Sequence, residues 1–318
     1  ATDQILGFNE PNFTHQANLT PTEAALAWPR LEAIARDYNV NLVSPAVNHC
    51  TAQCVEYEWS VDTTRAWSYL DAFLASCVSC KVDGIAIHWY GSDPERFEDY
   101  VRAFEKYNLP VFITEWSAMG PNVTPEKQMD YLATTVRWME TNPKVGAYSW
   151  FIARSKQGLG LWPFNSLLGA QGELTPLGAL YAGLPGENFL HSIPGLIEAE
   201  AAHEARGFRH ETSDDKSGYV NLRSIEERDQ WLLYRVQLQV PGNFIARLRF
   251  SAEALDSFNL SINGSPVASF EYPASDEASR WVTLDASIGF IDSGTHTIEI
   301  LGNADQGLKI DYIEFLYE

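Results

Sequence analysis

Five short apolar segments separated by helix-start signals constrain the fold of this chain most strongly. None of the five alternates polar with apolar residues, which is typical of strands buried on both faces. They span residues 5–9, 42–46, 84–89, 111–115 and 146–151. Helices are predicted to begin at Thr20-Pro21, Asp93-Pro94, Thr124-Pro125 and Thr175-Pro176, where a capping residue precedes a proline suited to the first turn. This repetition predicts an α/β architecture with parallel strands.

Polar and aromatic side chains gather where the predicted strands end. Glu10 follows the first segment and Glu115 closes the fourth. The other strand-end residues are Asn9, Asn48, His49, His88, Trp89, Tyr90, Trp116 and Trp150. In a (β/α)8 barrel the chemistry lies at the C-terminal ends of the strands. Two carboxylates in such positions are what a retaining glycoside hydrolase needs, one as acid and base and the other as nucleophile.

The composition narrows the partners of the chain. Its 318 residues carry 42 acidic and 22 basic side chains, a net charge of −20. That charge disfavours nucleic acid, whose phosphates need Lys and Arg, and it disfavours anionic membrane surfaces. No apolar run reaches the length of a membrane span. We therefore expect a soluble monomer with a neutral partner such as a glycan, to which aromatic residues (13% of the chain) are suited.

Four cysteines lie close together in the sequence, at positions 50, 54, 77 and 80. Their spacing is compatible with a zinc site. An even number of cysteines in a secreted chain favours disulfides instead, although the pairing cannot be read from the sequence.

Four motifs resemble glycoside hydrolase family 128, which contains secreted β-1,3-glucanases with a (β/α)8 barrel of clan A. They are Leu6-Gly7-Phe8-Asn9-Glu10-Pro11, Leu42-Val43-Ser44-Pro45-Ala46-Val47, Ile87-His88-Trp89-Tyr90-Gly91 and Ile113-Thr114-Glu115-Trp116. The resemblance covers residues 1–183. It implies that the five segments are strands 4–8 of the barrel, and that the barrel is truncated at its N-terminal side.

The same resemblance implies the roles of the site residues. Glu10 is expected to be the general acid/base, with a raised pKa, and Glu115 the nucleophile, with carboxyls roughly 5–5.5 Å apart. Asn9 is expected to bind the sugar 2-hydroxyl, or else to be a strand-end turn residue. Further substrate contacts are expected from His88, Trp89, Tyr90, Trp116, Tyr148 and Trp150. A structural role for His88 and core packing for Tyr148 remain open alternatives.

The chain changes character after a predicted linker at residues 184–195. Helical patterns give way to alternating strands at 231–240, 244–252, 258–262, 281–284, 295–301 and 309–316. Turns such as Asn263-Gly264 separate them. Residues 196–318 are therefore predicted to form an antiparallel β-sandwich.

This second domain resembles carbohydrate-binding module family 6. The resemblance rests on Ile197-Glu198-Ala199-Glu200, Gly294-Thr295-His296-Thr297-Ile298 and Ile310-Asp311-Tyr312-Ile313-Glu314-Phe315. It implies a structural calcium held by Glu198, Glu200 and Asp311, whose alternative is a group of ordinary surface acids. It also implies a sugar site at Tyr219, Trp281 and Asn303, although the module could instead serve only as a packing partner.

Three functions follow from these features. The first is retaining hydrolysis of β-1,3-glucan by a secreted enzyme that needs no cofactor for catalysis. The second is another clan A activity, such as that of a cellulase or mannanase. The third is glycan binding without catalysis. A metal-dependent hydrolase is disfavoured, because the barrel segment lacks a His/Asp cluster of the usual spacing.

Overall fold

The computed structural model describes residues 3–57, 65–155, 164–215, 218–225, 230–252, 257–271, 280–302 and 307–318. The chain divides into two units. The first comprises Ala1–Gly120 and Asn142–Ala153, and the second comprises Pro121–Thr141 and Arg154–Glu318. The helix at Pro125–Thr141 therefore groups with the C-terminal part of the chain. The sequence analysis places the same residues in the first domain, at 1–183.

The first unit contains parallel strands in sequential order. They are β1 (Gln4–Leu6), β2 (Asn41–Val43), β3 (Ile85–Tyr90), β4 (Val111–Ser117) and β5 (Val145–Trp150). Strand β1 pairs with β2, and β3, β4 and β5 pair in that order. Single bridges from Val43 to Gly84 and from Val47 to Ile87 connect β2 to β3. All five predicted strands are confirmed, and within the described residues they do not close into a barrel.

Side-chain caps set the starts of the helices at Pro21–Tyr38 and Pro94–Arg102, as the sequence predicts, whereas the helix at Ala66–Ser76 begins without one. Three α-helices lie in the described part of the first unit: α1 (Pro21–Tyr38), α2 (Ala66–Ser76) and α3 (Pro94–Arg102). At α1 the Thr20 hydroxyl accepts a hydrogen bond from the Glu23 backbone N–H at 3.2 Å. The Glu23 carboxylate accepts one in return from the Thr20 N–H at 2.8 Å. This reciprocal pair satisfies two of the donors that a helix start leaves unpaired.

Where the structure describes the second unit, α4 (Pro125–Thr141) and α5 (Pro176–Gly183) confirm the remaining two predicted starts. None of the helices in the described part of the chain is long and apolar enough to cross a membrane.

Trp28 is the centre of the packing between α1 and α2. Its side chain is fully buried, and its ring meets Phe73 edge-on with 5.0 Å between ring centroids. The indole N–H donates to the carbonyl of Lys81 at 3.0 Å, so the polar atom of this buried ring is satisfied.

The four cysteines form two disulfides, Cys50–Cys54 and Cys77–Cys80. The prediction of disulfides is confirmed and the zinc alternative is wrong, because no thiolate is left to bind a metal.

Two β-sheets make up most of the second unit. Their strands are β6 (His191–Ile193), β7 (Gly195–Glu198), β8 (Glu204–Arg206), β9 (Phe208–Thr212), β10 (Val220–Ser224), β11 (Gln230–Leu238), β12 (Gly242–Ser251), β13 (Ser257–Ile262), β14 (Ser265–Glu271), β15 (Val282–Ile291), β16 (Gly294–Gly302) and β17 (Lys309–Tyr317). One sheet has the order β15-β12-β17-β10-β9, with β7 beside β17. The other has the order β14-β13-β16-β11-β6, with β8 beside β11. Inward residues of both sheets form one hydrophobic core.

The predicted linker at 184–195 contains strand β6, which pairs in parallel with residues 236–238 of β11. The structure differs from the prediction here because Ile193 is buried in the sandwich core, and burial of its side chain fixes the backbone beside β11. The remaining boundaries, at 183 and 196, stay predictions.

Replacing Thr20 by Ala tests the capping of α1. We expect Thr20→Ala to lower the free energy of unfolding of the first unit by about 1 kcal/mol, because the helix start loses its side-chain acceptor. Urea denaturation followed by circular dichroism measures the change. Thr14→Ala, at an exposed position of the same unit, is the control. Equal losses in the two variants would contradict the capping role.

Candidate active site

The fold brings Glu10 and Glu115 together with His88. One side-chain oxygen of each glutamate and one ring nitrogen of His88 lie within 4.8 Å of one another. Glu10 follows β1, His88 lies on β3 and Glu115 lies on β4. Because these strands are parallel, their C-terminal ends deliver the three side chains to one edge of the sheet.

The backbone at Glu10 adopts a conformation that non-glycine residues rarely take. Its φ of 40° lies in the left-handed region. Two hydrogen bonds hold this geometry, from the Glu10 N–H to the Ala46 carbonyl at 2.8 Å and from the Phe13 N–H to the Glu10 carbonyl at 3.0 Å. Backbone strain that the surroundings enforce in this way clusters at functional sites.

One ring nitrogen of His88 faces both carboxylates. His88 Nδ1 lies 2.9 Å from Glu10 Oε1 and 3.4 Å from Glu115 Oε2. Asn48 Nδ2 donates a second hydrogen bond to Glu10 Oε1 at 3.0 Å, and the Tyr90 hydroxyl donates to the Glu115 carboxylate. His88 and Asn48 therefore orient the Glu10 carboxylate, and Tyr90 and His88 orient the Glu115 carboxylate.

Glu10 is held in its ionised form by these donors. Burial acts to raise its pKa, since the residue is only 7% exposed, but the hydrogen bond and charge of His88, with the amide of Asn48, outweigh burial and lower it. The expectation of a raised pKa for Glu10 is therefore wrong for this arrangement. Burial, together with the hydrogen bond to Glu115, raises the pKa of Tyr90, so Tyr90 remains a protonated donor.

The remaining predicted contact residues near this pair differ in accessibility. His88 is buried and bonded to a carboxylate, which supports an orienting role. Trp89 is half-buried and its ring lies tilted against Tyr100 at 4.7 Å. Tyr90 is also half-buried. Asn9 is exposed, and its amide donates to Gln16 at 3.4 Å.

Trp116 is a packing residue rather than a substrate contact. Its side chain is fully buried, and its ring meets Tyr148 and Trp150 edge-on at 5.5 and 5.0 Å. A ring without exposed surface cannot stack on a sugar, so the prediction for Trp116 is corrected. Trp150 is only 5% exposed, whereas Tyr148 is half-buried and keeps accessible surface.

Asn48 is a site residue to which the sequence analysis gave no role. It follows β2 as Glu10 follows β1, and that placement was the only signal. Its carbonyl accepts a hydrogen bond at 2.7 Å from the buried amide of Asn12, which fixes the segment that carries it.

The group of Glu10, His88 and Glu115 also has the ligand types of a metal site. A metal bound there would compete with Asn48 and Tyr90, which already donate to the two carboxylates. The hydrogen bonds favour a pair of acidic residues that act directly.

The predicted calcium residues form a second, strongly acidic group. Oε2 of Glu198 and Oε2 of Glu200 are buried and accept no hydrogen bond from the part of the chain that the structure describes. Burial, with the nearby charge of Asp311, raises the pKa of Glu198 to about 7. Burial and the charges of Glu198 and Asp311 raise that of Glu200 to about 8, against a backbone hydrogen bond that lowers it. Buried carboxylate oxygens of this kind fit a hard cation.

Among the described residues, the ligand atoms of Glu198, Glu200 and Asp311 do not lie as close to one another as those of Glu10, His88 and Glu115. In the part of the chain that the structure describes, only Glu10, His88 and Glu115 offer three such ligand atoms that all lie within 4.8 Å of one another. The calcium site therefore stays a prediction.

Two of the predicted sugar residues of the sandwich, Tyr219 and Trp281, contact the segment Ser213–Asp214. Tyr219 is 55% exposed, and its carbonyl accepts a hydrogen bond from the Ser213 N–H. The Trp281 indole donates to Asp214 at 2.8 Å, and the Arg249 guanidinium lies over its ring at 5.8 Å. Asn303 lies outside the described residues.

The N-terminal part of the chain is similar to glycoside hydrolases of known structure. Residues 1–181 match the family model described as glycosyl hydrolase catalytic core. A GH128 subgroup II endo-β-1,3-glucanase from Sorangium cellulosum is 34% identical, with a TM-score of 0.53, over 59% of this chain and 72% of that chain. Alkali-sensitive linkage protein 1 of Schizosaccharomyces pombe is 29% identical over 189 residues, which are 56% of this chain and 32% of that protein.

The C-terminal part of the chain was also compared with solved structures. The carbohydrate-binding module CBM6cm-2 from Cellvibrio mixtus lichenase 5A is 22% identical, with a TM-score of 0.36, over 39% of this chain and 98% of that chain. A likeness of this size carries no functional argument.

Replacing Asn48 by Ala tests its effect on Glu10. We expect Asn48→Ala to raise the pKa of Glu10, because the ionised carboxylate loses a hydrogen-bond donor while the neutral form loses less. Carbon-13 NMR of labelled glutamate side chains follows this titration. Asn9→Ala is the matched control, since that neighbouring amide donates to Gln16 instead. An unchanged pKa of Glu10 in Asn48→Ala would remove Asn48 from the site.

Proposed function

This chain belongs to the glycosyl hydrolase catalytic core family and to glycoside hydrolase family 128, and on that premise we propose that it hydrolyses β-1,3-glucan with retention of configuration. The observation that carries the proposal is the approach of a Glu10 oxygen to within 4.8 Å of a Glu115 oxygen. Retaining enzymes hold their two carboxyls about 5–5.5 Å apart, whereas inverting enzymes need about 6.5–9.5 Å to admit a water.

In the first step Glu115 attacks the anomeric carbon while Glu10 gives its proton to the departing oxygen. The glycosidic C–O bond breaks and a covalent glycosyl ester forms on Glu115. The hydroxyl of Tyr90 and Nδ1 of His88 both lie against the Glu115 carboxylate and fix its position for this step.

In the second step Glu10 takes a proton from water, which attacks the same anomeric carbon and releases Glu115. The hydrogen bonds from His88 and Asn48 suit this step, because they stabilise the ionised Glu10 that must act as base. For the first step Glu10 must be protonated. Its lowered pKa therefore favours activity at acidic pH, and activity should fall as the pH rises through that pKa.

The strand order supports a further part of the proposal, that β1 to β5 correspond to strands 4–8 of a (β/α)8 barrel. The carboxylates lie at the ends of the first and fourth strands, which matches the separation between strands 4 and 7. The endo-β-1,3-glucanase activity named for the Sorangium relative supports β-1,3-glucan over cellulose or mannan as the substrate.

We also propose an extracellular location, which the two disulfides support because such bonds persist in oxidising compartments. In the second unit we propose that Glu198, Glu200 and Asp311 hold a structural calcium, and that Tyr219 and Trp281 belong to a sugar site. A bound cation would neutralise carboxylates that the fold buries close to one another.

Substitution of the two glutamates tests the mechanism. We expect Glu115→Gln to keep under ~1% of the activity on laminarin, because the covalent step loses its nucleophile. Glu10→Ala should regain turnover of an aryl β-glucoside when azide is added, because azide needs no general base. Reducing-sugar release measures the activity, and proton NMR of the first product reports its anomer.

Glu95→Gln, an exposed acid on α3, is the matched control and should be as active as the parent. Near-normal rates in Glu115→Gln, or a first product of inverted configuration, would contradict the mechanism. Preferential release from cellulose or mannan would contradict the substrate.

Calcium binding is tested by the stability of the second unit. At about 100 times its dissociation constant, Ca²⁺ should stabilise the folded state by about 2.7 kcal/mol relative to a chelator. Differential scanning calorimetry measures this shift, and Asp311→Asn should reduce it. Asp292→Asn, at an exposed turn of the same unit, is the control. Identical unfolding with calcium and with chelator would exclude the site.

A further inference from the structure

A pocket of about 380 Å³ opens in the second unit beside helix α4. Its volume lies in the range of small-ligand sites. Its main lining residues come from α4, β8 and β11, and are Arg137, Trp138, Glu140, Glu204, Trp231 and Arg235. All of them belong to the second unit, whereas Glu10 and Glu115 belong to the first.

We propose that this pocket is an additional carbohydrate-binding site that takes a short stretch of neutral glucan. The choice of β-1,3-glucan as the ligand rests on the proposed function. The pocket itself is argued from its aromatic surface, its fixed polar groups and its charge.

Aromatic surface is available on two walls. Along β11 the residues alternate, so that Leu232 and Tyr234 are fully buried in the core while Trp231 and Arg235 lie on the outer face, half-buried. Trp138 on α4 is half-buried as well. Indole rings present large flat apolar faces at little entropic cost, and pockets that bind organic ligands combine such faces with a few placed polar groups.

The polar groups beside Trp231 are held in place. Arg235 donates from one guanidinium nitrogen to the Glu187 carbonyl at 2.8 Å, and another lies 3.5 Å from a Glu204 oxygen. Glu140 accepts a hydrogen bond from the Glu187 N–H at 3.2 Å. Groups that are ordered before binding lose less entropy when a ligand arrives. Carboxylate and guanidinium groups each offer two adjacent sites that match neighbouring hydroxyls of a sugar ring.

The wall formed by α4 is anchored to the sandwich. Arg137 donates to the carbonyls of Glu200 and Ala202 at 3.1–3.3 Å, and burial lowers its pKa to about 10. Asp130, on the same helix, accepts hydrogen bonds from the N–H and from Nδ1 of His210 at 2.8 and 2.9 Å. The two sides of the pocket are therefore fixed against each other.

The charge of the lining argues for a neutral ligand. The lining contains three carboxylates, Glu140, Glu187 and Glu204, and two guanidinium groups, Arg137 and Arg235, which leaves one negative charge. Burial, the neighbouring Arg235 and Arg137 together lower the pKa of His203, against its hydrogen bond to Phe189, so it adds no positive charge at neutral pH. A phosphate or nucleotide would meet net repulsion, whereas a polyhydroxylated neutral chain would not.

Fluorine NMR of the full chain tests this site directly. The protein is labelled with 5-fluorotryptophan and carries Glu115→Gln, so that an added oligosaccharide is not consumed. The Trp231 signal is assigned by its loss in Trp231→Phe. We expect laminarihexaose to shift this signal with saturation, and Glu204→Gln to require at least tenfold more sugar for the same shift.

Glu204 suits this purpose because its side chain is 51% exposed, so its substitution spares the fold. Glu271→Gln, at an exposed acid on β14 outside the pocket lining, is the matched control and should leave the Trp231 shift unchanged. A Trp231 signal that does not respond, while other tryptophan signals do, would overturn the proposal. A stronger response to cellohexaose would overturn the choice of β-1,3-glucan.

Laminarin hydrolysis by the chain without Glu115→Gln separates the two proposals. Hydrolysis with a silent Trp231 signal would leave the proposed function standing and remove the additional site. A responding Trp231 signal without hydrolysis would leave the additional site standing and remove the proposed function. If neither a Trp231 response nor hydrolysis is observed, the additional site and the proposed function are both wrong.

Discussion

The shared hydrogen bonding of Glu10, His88 and Glu115 is the constraint on which the first unit depends. Two carboxylates whose oxygens approach within 4.8 Å repel each other, and burial of Glu10 adds a desolvation penalty. His88 and Asn48 offset both costs by donating to Glu10, and Tyr90 donates to Glu115. Asn48 follows β2, whereas His88 and Tyr90 lie on β3. The parallel order of the strands therefore brings these donors to the two carboxylates.

The same physics explains why the acidic groups of the two units behave differently. Glu10 is buried, yet its pKa is lowered, because donors point at its ionised oxygens. Glu200 is buried and Glu198 is half-buried, each with one buried oxygen that accepts nothing from the described residues, and their pKa values are raised. A carboxylate in the first setting is stabilised in its ionised form by its donors. A carboxylate in the second setting needs a cation or a proton.

Packing rather than chemistry accounts for much of the aromatic content. Trp28 packs α1 against α2, and Trp116 packs against Tyr148 and Trp150, so these rings stabilise the first unit rather than contact a ligand. The half-buried rings, such as Trp231 in the second unit, are the ones that retain surface for a ligand. Burial therefore separates aromatic residues with similar sequence contexts into different roles.

The sequence alone determined the local elements, because their causes are local: unalternating apolar runs, and caps such as Thr20 with Glu23, specify where strands and helices begin. It also placed Glu10 and Glu115 at strand ends. Tertiary structure decided the rest. The pKa of Glu10 depends on His88 and Asn48, which reach it from other strands, and the burial of Trp116 depends on the neighbouring strand β5. That residues 191–193 join β11 was likewise settled by contacts between distant segments, whose energies no local pattern encodes.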